Sequence, residues 1–306
     1  MKITALAGGV GGAKLADGLA QLLPAEDLTV IVNTGDDFEH FGLHVSPDLD
    51  TVCYTLAGSA NPDTGWGRSG ESFTVLQELS TLGQETWFRL GDQDLATHIY
   101  RNKRLKEGAP LSLITRELCA FWEIRPTILP MTDQPVQTKV ITDVFGILDF
   151  QDYFVRHHCE PVVRGFRFDG VETAVPAPGV LEALESADAV VFCPSNPWVS
   201  IDPILSLPGV RGALGNQSVV AVSPLIDGKT VKGPAAKMFI ELGIPATALS
   251  VAEHYGSLLA AFILDDADRK RGYTFPIPVL WTNTLMKTSA DRRRLAQDVL
   301  NLIRSL

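Results

Sequence analysis

Apolar positions along this chain follow two rhythms. Short, nearly unbroken apolar runs occur at Ile3–Ala7 (ITALA), Leu28–Val32 (LTVIV), Ala189–Cys193 (AVVFC) and Ser218–Val222 (SVVAV). Such runs predict strands buried on both faces of a parallel sheet. Helical spacing is found over Ala13–Leu23, Asp50–Gly58, Glu71–Leu82, Asp92–Glu107, Ser112–Trp122 and Ser289–Leu306. Thr138–Ile147 and Pro161–Phe168 carry β-branched residues and predict strands, and Val279–Trp281 predicts a short last one. A helix is expected to start near Gly233-Pro234, and Ser289 to cap the last one. Residues 33–47 predict a loop or a short hairpin.

Strands alternating with helices predict a mostly parallel sheet with helices on both faces, a Rossmann-like α/β fold. The mainly helical stretch of residues 61–124 reads as a lobe inserted into a single domain, whose core is built from residues 1–60 and 125–306.

The segments that follow the predicted strands carry the chemistry. Ile3–Ala7 runs into Gly8-Gly9-Val10-Gly11-Gly12 and then into an alanine-rich helical segment with Lys14 on its first turn. Strand, glycine loop and helix in that order form an anion site, because glycine lets backbone N–H groups approach a phosphate and the helix start is electropositive. Gly9, Gly11, Gly12 and Lys14 are therefore candidate nucleotide-phosphate contacts. The spacing matches neither G-x-G-x-x-G nor G-x-x-x-x-G-K-[ST], so it does not identify the nucleotide.

The other strand ends carry Asn33-Thr34-Gly35-Asp36-Asp37, Pro194-Ser195-Asn196-Pro197 and Ser223-Pro224. In an open parallel sheet these loops gather on one edge. Ser195, Asn196 and Ser223 are candidate contacts to a base or ribose.

Asp36, Asp37, Asp48 and Asp50 crowd into fifteen residues. Carboxylates beside a phosphate call for a cation, and Mg²⁺ held by carboxylates and phosphate oxygens fits, with Asp37, Asp48 and Asp50 as candidate ligands. A carboxylate of this group, Asp50 or Asp37, is alternatively a base toward a hydroxyl nucleophile. Asp92 is expected to cap the helix through His98. Arg89, just before it, suits an anion or an aromatic ring. Trp66 and Trp87 are candidates to flank a flat ligand, with core packing the default for Trp87. His98 and the basic run Arg101–Arg104 read as packing and solvated surface, whereas His40 and His44 lie in the acidic segment.

The bulk numbers bound the function. The chain has 306 residues, 45% of them hydrophobic, a mean hydropathy of +0.12 and a formal charge of −10. That is ample for a large core, and the charge argues against a nucleic-acid partner. No apolar run is long enough to span a bilayer. The four cysteines show no zinc spacing, and reduced thiols in a cytoplasmic protein are expected.

Taken together, AGGVGGAKL, VNTGDD, SPDLDTVCYTLAG, WFRLGDQDLATH, PSNP and VSPLI with KGPAAKM resemble the 2-phospho-L-lactate transferases of coenzyme F-420 biosynthesis, from Met1 to at least Arg269. The resemblance implies an acceptor, 7,8-didemethyl-8-hydroxy-5-deazariboflavin, and a three-carbon phospho-acid donor activated as a guanosine diphosphate ester. The ribityl 5′-hydroxyl attacks the phosphorus bearing the acid, and GMP leaves. It also implies Mg²⁺, a homodimer, and deazaflavin contacts at Asp50 and Arg89. The acid itself (phospholactate, phosphoenolpyruvate or 3-phosphoglycerate) is left open. Two other classes compete: a nucleotide-sugar-binding regulatory protein of the same superfamily, and a Rossmann oxidoreductase. The imperfect glycine fingerprint and Asn33 at the end of the second strand count against the oxidoreductase.

Overall fold

A computed structural model describes residues 1–306. Its strands are β1 (Ile3–Ala7), β2 (Leu28–Val32), β3 (Phe38–His40), β4 (Leu43–Val45), β5 (Thr127–Pro130), β6 (Gln137–Thr142), β7 (Ile147–Asp149), β8 (Val163–Asp169), β9 (Ala189–Phe192), β10 (Val219–Val222), β11 (Leu225–Ile226), β12 (Lys229–Thr230), β13 (Ala261–Asp265) and β14 (Val279–Thr282). Its α-helices are α1 (Gly9–Ala20), α2 (Pro47–Leu56), α3 (Thr74–Thr81), α4 (Asp92–Lys106), α5 (Leu111–Phe121), α6 (Val180–Glu185), α7 (Asp202–Leu205), α8 (Val210–Leu214), α9 (Ala235–Glu241), α10 (Ala248–Tyr255) and α11 (Ser289–Ser305).

Seven strands form one parallel sheet in the order β14-β13-β10-β9-β1-β2-β5. The chain starts in the middle, builds outward through β2 and β5, then returns to build outward through β9, β10, β13 and β14. The direction of winding therefore reverses between β1 and β9, where doubly wound sheets open a crevice at their carboxyl ends.

Side chains alternate across the sheet. Val190 and Phe192 of β9 join one core with Val180, Val210, Met238 and Val251, whereas Ala189 and Val191 join another with Leu15, Val52, Leu111 and Leu295. Each core takes one row of every strand, which is why the strand sequences are apolar throughout and why helices cover both faces, as expected. Helices α3, α4 and α5 lie within residues 61–124; α5 shares the second core with α1, α2 and β5.

Several expectations shift. The expected strand Thr138–Ile147 is two strands, β6 and β7, turned back on each other and joined antiparallel to β8. Gly146, at φ +68°, makes the turn. β5 and β13 were not predicted, although β13 is buried throughout. Residues 33–47 contain the β3–β4 hairpin. Thr288, not Ser289, caps α11, in a reciprocal box with Asp291. α2 begins at Pro47, three residues before the expected start, so Asp48 joins Asp50 in its first turn. No helix is long and apolar enough to cross a membrane.

Candidate active site

A cavity of about 780 Å³ opens at the carboxyl edge of the sheet, over the reversal point between β1 and β9. The glycine segment forms its floor, and it is helix rather than loop: Gly8 is the N-cap and Gly9, Gly11 and Gly12 lie inside α1. Close packing requires these glycines. A Cβ on Gly11 would stand 2.2 Å from the Pro194 carbonyl oxygen, and one on Gly8 would stand 2.6 Å from Asp48 Oδ2. Gly12 is pressed against Ala7 and Ser195 and does not line the cavity; Gly8, Gly9, Val10 and Gly11 do. The amino end of α1 thus presents backbone to whatever enters, the arrangement that favours an anion.

Lys14 reaches into the cavity, and its Nζ donates to the Met286 carbonyl at 2.8 Å. Burial, with Arg292 and Lys232 nearby, lowers its pKa. Ser195 ties the two central loops together: its hydroxyl donates to the Gly8 carbonyl at 2.7 Å and accepts the Gly8 N–H at 3.1 Å. Asn196 Oδ1 accepts the Trp198 N–H at 3.1 Å, and the Ser223 hydroxyl donates to the Leu225 carbonyl at 3.0 Å. All three expected loop residues line the cavity, yet each also braces its own loop.

The acidic residues divide. Asn33 is the hub: its Nδ2 donates to Asp48 Oδ2 at 2.9 Å, to Asp36 Oδ1 at 3.2 Å and to the Val199 carbonyl at 3.1 Å. Gln151 donates to the other Asp36 oxygen at 3.0 Å. Burial raises the Asp36 carboxyl well above the usual range, and the neighbouring charges of Asp48 and Asp37 add to it. Burial pushes Asp48 up to about 7, against the Asn33 hydrogen bond. Asp37, expected beside the reacting groups, lies outside the cavity wall. Its carboxylate accepts from Ser46 Oγ at 2.7 Å and faces His44 Nε2 at 3.0 Å. Asp36 faces the cavity in its place, because the turn at residues 34–37 sends adjacent side chains to opposite sides.

Asp50 lies two residues beyond Asp48 on α2, also on the cavity wall. Arg101 of α4 grips it with both terminal nitrogens, Nη1 to Oδ2 at 3.0 Å and Nη2 to Oδ1. Arg101 is 0% exposed, not the solvated residue its basic neighbours suggest. His98 Nδ1 stands 3.1 Å from Arg101 Nη1, and its Nε2 lies 3.3 Å from Asp94 Oδ1. Tyr54 donates to Asp94 at 2.7 Å. Burial alone would raise the Asp94 carboxyl; His98 and Tyr54 outweigh it and hold it below the ordinary value.

Asp50, Asp94 and His98 bring three potential metal-ligand atoms within 4.8 Å of one another. The guanidinium already occupies the cation's place at Asp50, so the Asp36–Asp48 pair is the better home for a hard cation. The spacing of Asp94, His98 and Arg101, at i, i+4 and i+7, is a sequence signal that would have placed all three on one helix face.

The far wall is aromatic. Trp87 and Phe88 line it, with the Arg89 guanidinium 4.5 Å from the centre of the Phe73 ring, whereas the half-exposed Trp66 lines the cavity next to Gly65, which stands against Val10 of α1. His40 packs beside Trp87 at 5.3 Å between ring centres. Asp92 does not cap its own helix; its carboxylate accepts the Thr74 and Val75 N–H groups at the start of α3.

Comparisons with known proteins give the family. The family described as 2-phospho-L-lactate transferase CofD matches residues 3–291. A phosphoenolpyruvate transferase of Streptomyces griseus is 47% identical over 88% of this chain and 86% of its own length. One from Thermobifida fusca is 47% identical over 88% and 87%, and one from Mycobacterium sp. (strain KMS) is 41% identical over 87% and 86%. A crystal structure of a UPF0052-family protein from Bacillus halodurans superposes with a TM-score of 0.65 over 98% of both chains at 14% identity, a likeness of fold alone. On the family match and the extent of these identities, the chain belongs to the 2-phospho-L-lactate transferase family of coenzyme F-420 biosynthesis, and it is a transferase.

Proposed function

We propose that this enzyme moves a phospho-three-carbon-acid from its guanosine diphosphate ester to the ribityl 5′-hydroxyl of 7,8-didemethyl-8-hydroxy-5-deazariboflavin. One observation carries the reading. A single cavity joins the amino end of α1, suited to a diphosphate, to an aromatic wall with Asp50 and Arg89, suited to a flat ring with a polyol tail. The relatives are named phosphoenolpyruvate transferases, so the enolpyruvyl ester is the favoured donor.

The steps follow from placement. The backbone of Gly9 and Gly11, with Lys14, holds the diphosphate, while the loops bearing Ser195, Asn196 and Ser223 bound the guanosine. Trp66, Trp87 and Arg89 hold the deazaflavin ring. Asp50 accepts the hydrogen bond of the ribityl hydroxyl and aims its oxygen at the phosphorus. A new P–O bond forms to that oxygen, the bond to the GMP phosphate oxygen breaks with its electron pair leaving on GMP, and the hydroxyl proton passes by way of Asp50 to solvent. Positioning and charge neutralisation dominate such transfers.

The residues fit a divalent cation. Asp36 and Asp48, both held by Asn33, offer hard oxygen donors, with Asp48 beside Gly9, and neither carboxylate is paired with a cationic side chain. When bound, Mg²⁺ supplies charge neutralisation at the diphosphate. Asp36 takes the ligand role first assigned to Asp37, and Asp50, engaged by Arg101, is left for the hydroxyl. A cytoplasmic homodimer belongs to the same reading, with sedimentation as its check.

Mass spectrometry of the product made from the deazaflavin and each activated donor tests the proposal. A phosphodiester with the enolpyruvyl ester is the expected product. No ring binding in a fluorescence titration, with guanine nucleotide still bound, would leave a nucleotide-binding regulator instead.

A further inference from the structure

Asp50, Asp94, His98 and Tyr54 line the cavity, whereas Arg101 stands behind them and does not reach it. Its two terminal nitrogens meet the two Asp50 oxygens in a fork that fixes the plane of the carboxylate. Its Nη1 also meets His98 Nδ1 at 3.1 Å and approaches the His44 carbonyl at 3.5 Å. Arginine only donates, so His98 Nδ1 accepts and the imidazole proton sits on Nε2, toward Asp94. Tyr54 closes the chain on Asp94. Apart from the His44 carbonyl on β4, every link lies on α2 or α4, so this chain of contacts fastens the helix bearing Asp50 to the helix that follows Arg89.

Stability is a weak explanation for such a pair. A buried ion pair often contributes little net, and well-packed apolar residues commonly replace it at no loss. Orientation is a better one. Each carboxylate oxygen still has a lone pair free after Arg101 is satisfied, and the fork decides where it points.

We propose that Arg101 is the positioning residue of this site: it fixes the Asp50 carboxylate in the one orientation that receives the acceptor hydroxyl, with His98 and Asp94 holding Arg101 in register. This rests on the transferase reading above. It makes Arg101 act through Asp50 and never on the substrate directly.

A double-mutant cycle tests it, using Arg101→Met, Asp50→Asn, the double variant and Arg101→Lys. Deazaflavin affinity is read by fluorescence, guanine-nucleotide affinity by calorimetry, and kcat by product formation. Arg101→Met should weaken deazaflavin binding roughly 10- to 100-fold, the range for uncoupling a buried charge pair, and leave nucleotide affinity unchanged. The double variant should bind no worse than Asp50→Asn alone, and Arg101→Lys should recover part of kcat.

Multiplying losses in the double variant would overturn the proposal. So would a folded Arg101→Met with wild-type affinity and kcat. Should Arg101→Met not fold, the charge-balanced double variant decides: equality with Asp50→Asn supports the role, and wild-type ring affinity overturns it. A wild-type protein that neither binds nor modifies the deazaflavin removes the functional reading and this role with it. An active wild type with an indifferent Arg101→Met removes this role alone.

Discussion

Glu71 and Asp92 cap each other's helices. Glu71 accepts the N–H groups of Gln93 and Asp94 at the start of α4, and Asp92 accepts those of Thr74 and Val75 at the start of α3. Two segments twenty residues apart are thereby pinned where Arg89 leads into α4. Asp94, two residues beyond Asp92, begins the chain of contacts that reaches Asp50.

Removing one half of this exchange should loosen both helix starts. Glu71→Ala should lower stability by about 1 kcal/mol, the usual worth of a helix cap. Hydrogen exchange should speed at Gln93 and Asp94 while β1 and β9 stay protected. Unchanged exchange at those two amides would show that the cap carries no weight.

The two ends of the cavity should fail separately. Asp50→Ala should nearly abolish transfer while guanine nucleotide still binds. Arg89→Ala, which removes the guanidinium that stands over Phe73, should weaken deazaflavin binding more than nucleotide binding. Equal loss of both ligands in Arg89→Ala would indicate a folding defect rather than a ring contact.

Gly11 is the tightest contact of the anion site. Gly11→Ala drives a methyl group into the Pro194 carbonyl, so α1 and the Pro194–Pro197 loop must part. We expect a cost of about 1–3 kcal/mol, typical of overpacking, and a weakened nucleotide affinity measured by calorimetry. Wild-type nucleotide binding in the variant would mean that the helix start does not hold the phosphate.

Asp48 sets a pH dependence in the metal-free protein. Its folded pKa, about 7, lies above the ordinary 3.8, so between those values the folded state holds a proton that the unfolded chain has lost. Stability from this group is therefore greatest at low pH and falls as pH rises through the window; Asp36 pulls in the same direction. Thermal unfolding of chelated protein should show that decline, Asp48→Asn should flatten it, and Mg²⁺ at neutral pH should offset it. Parallel curves for wild type and variant would refute the assignment.

Local order was largely legible in the sequence. Unbroken apolar runs required strands covered on both faces, and glycines directly after the first run required a backbone exposed to an anion. The motifs from Gly8 to Met238 were specific enough to identify the family. What escaped was decided by packing between distant segments. Asp36 and Asp37 are adjacent and chemically identical, and only the turn after β2 chooses which faces the cavity. Arg101 sits among Asn102, Lys103 and Arg104, and its neighbours suggest solvent; only the docking of α4 on α2 buries it.

The sequence by itself therefore determined most of the elements, the mainly parallel sheet covered on both faces, the glycines of the anion site and the family, because these depend on patterns within a few residues. Tertiary structure alone decided that Asp36 rather than Asp37 faces Asp48, and that a buried arginine holds Asp50. Those choices turn on charge burial and side-chain direction, and both are set only when helices far apart in sequence pack together.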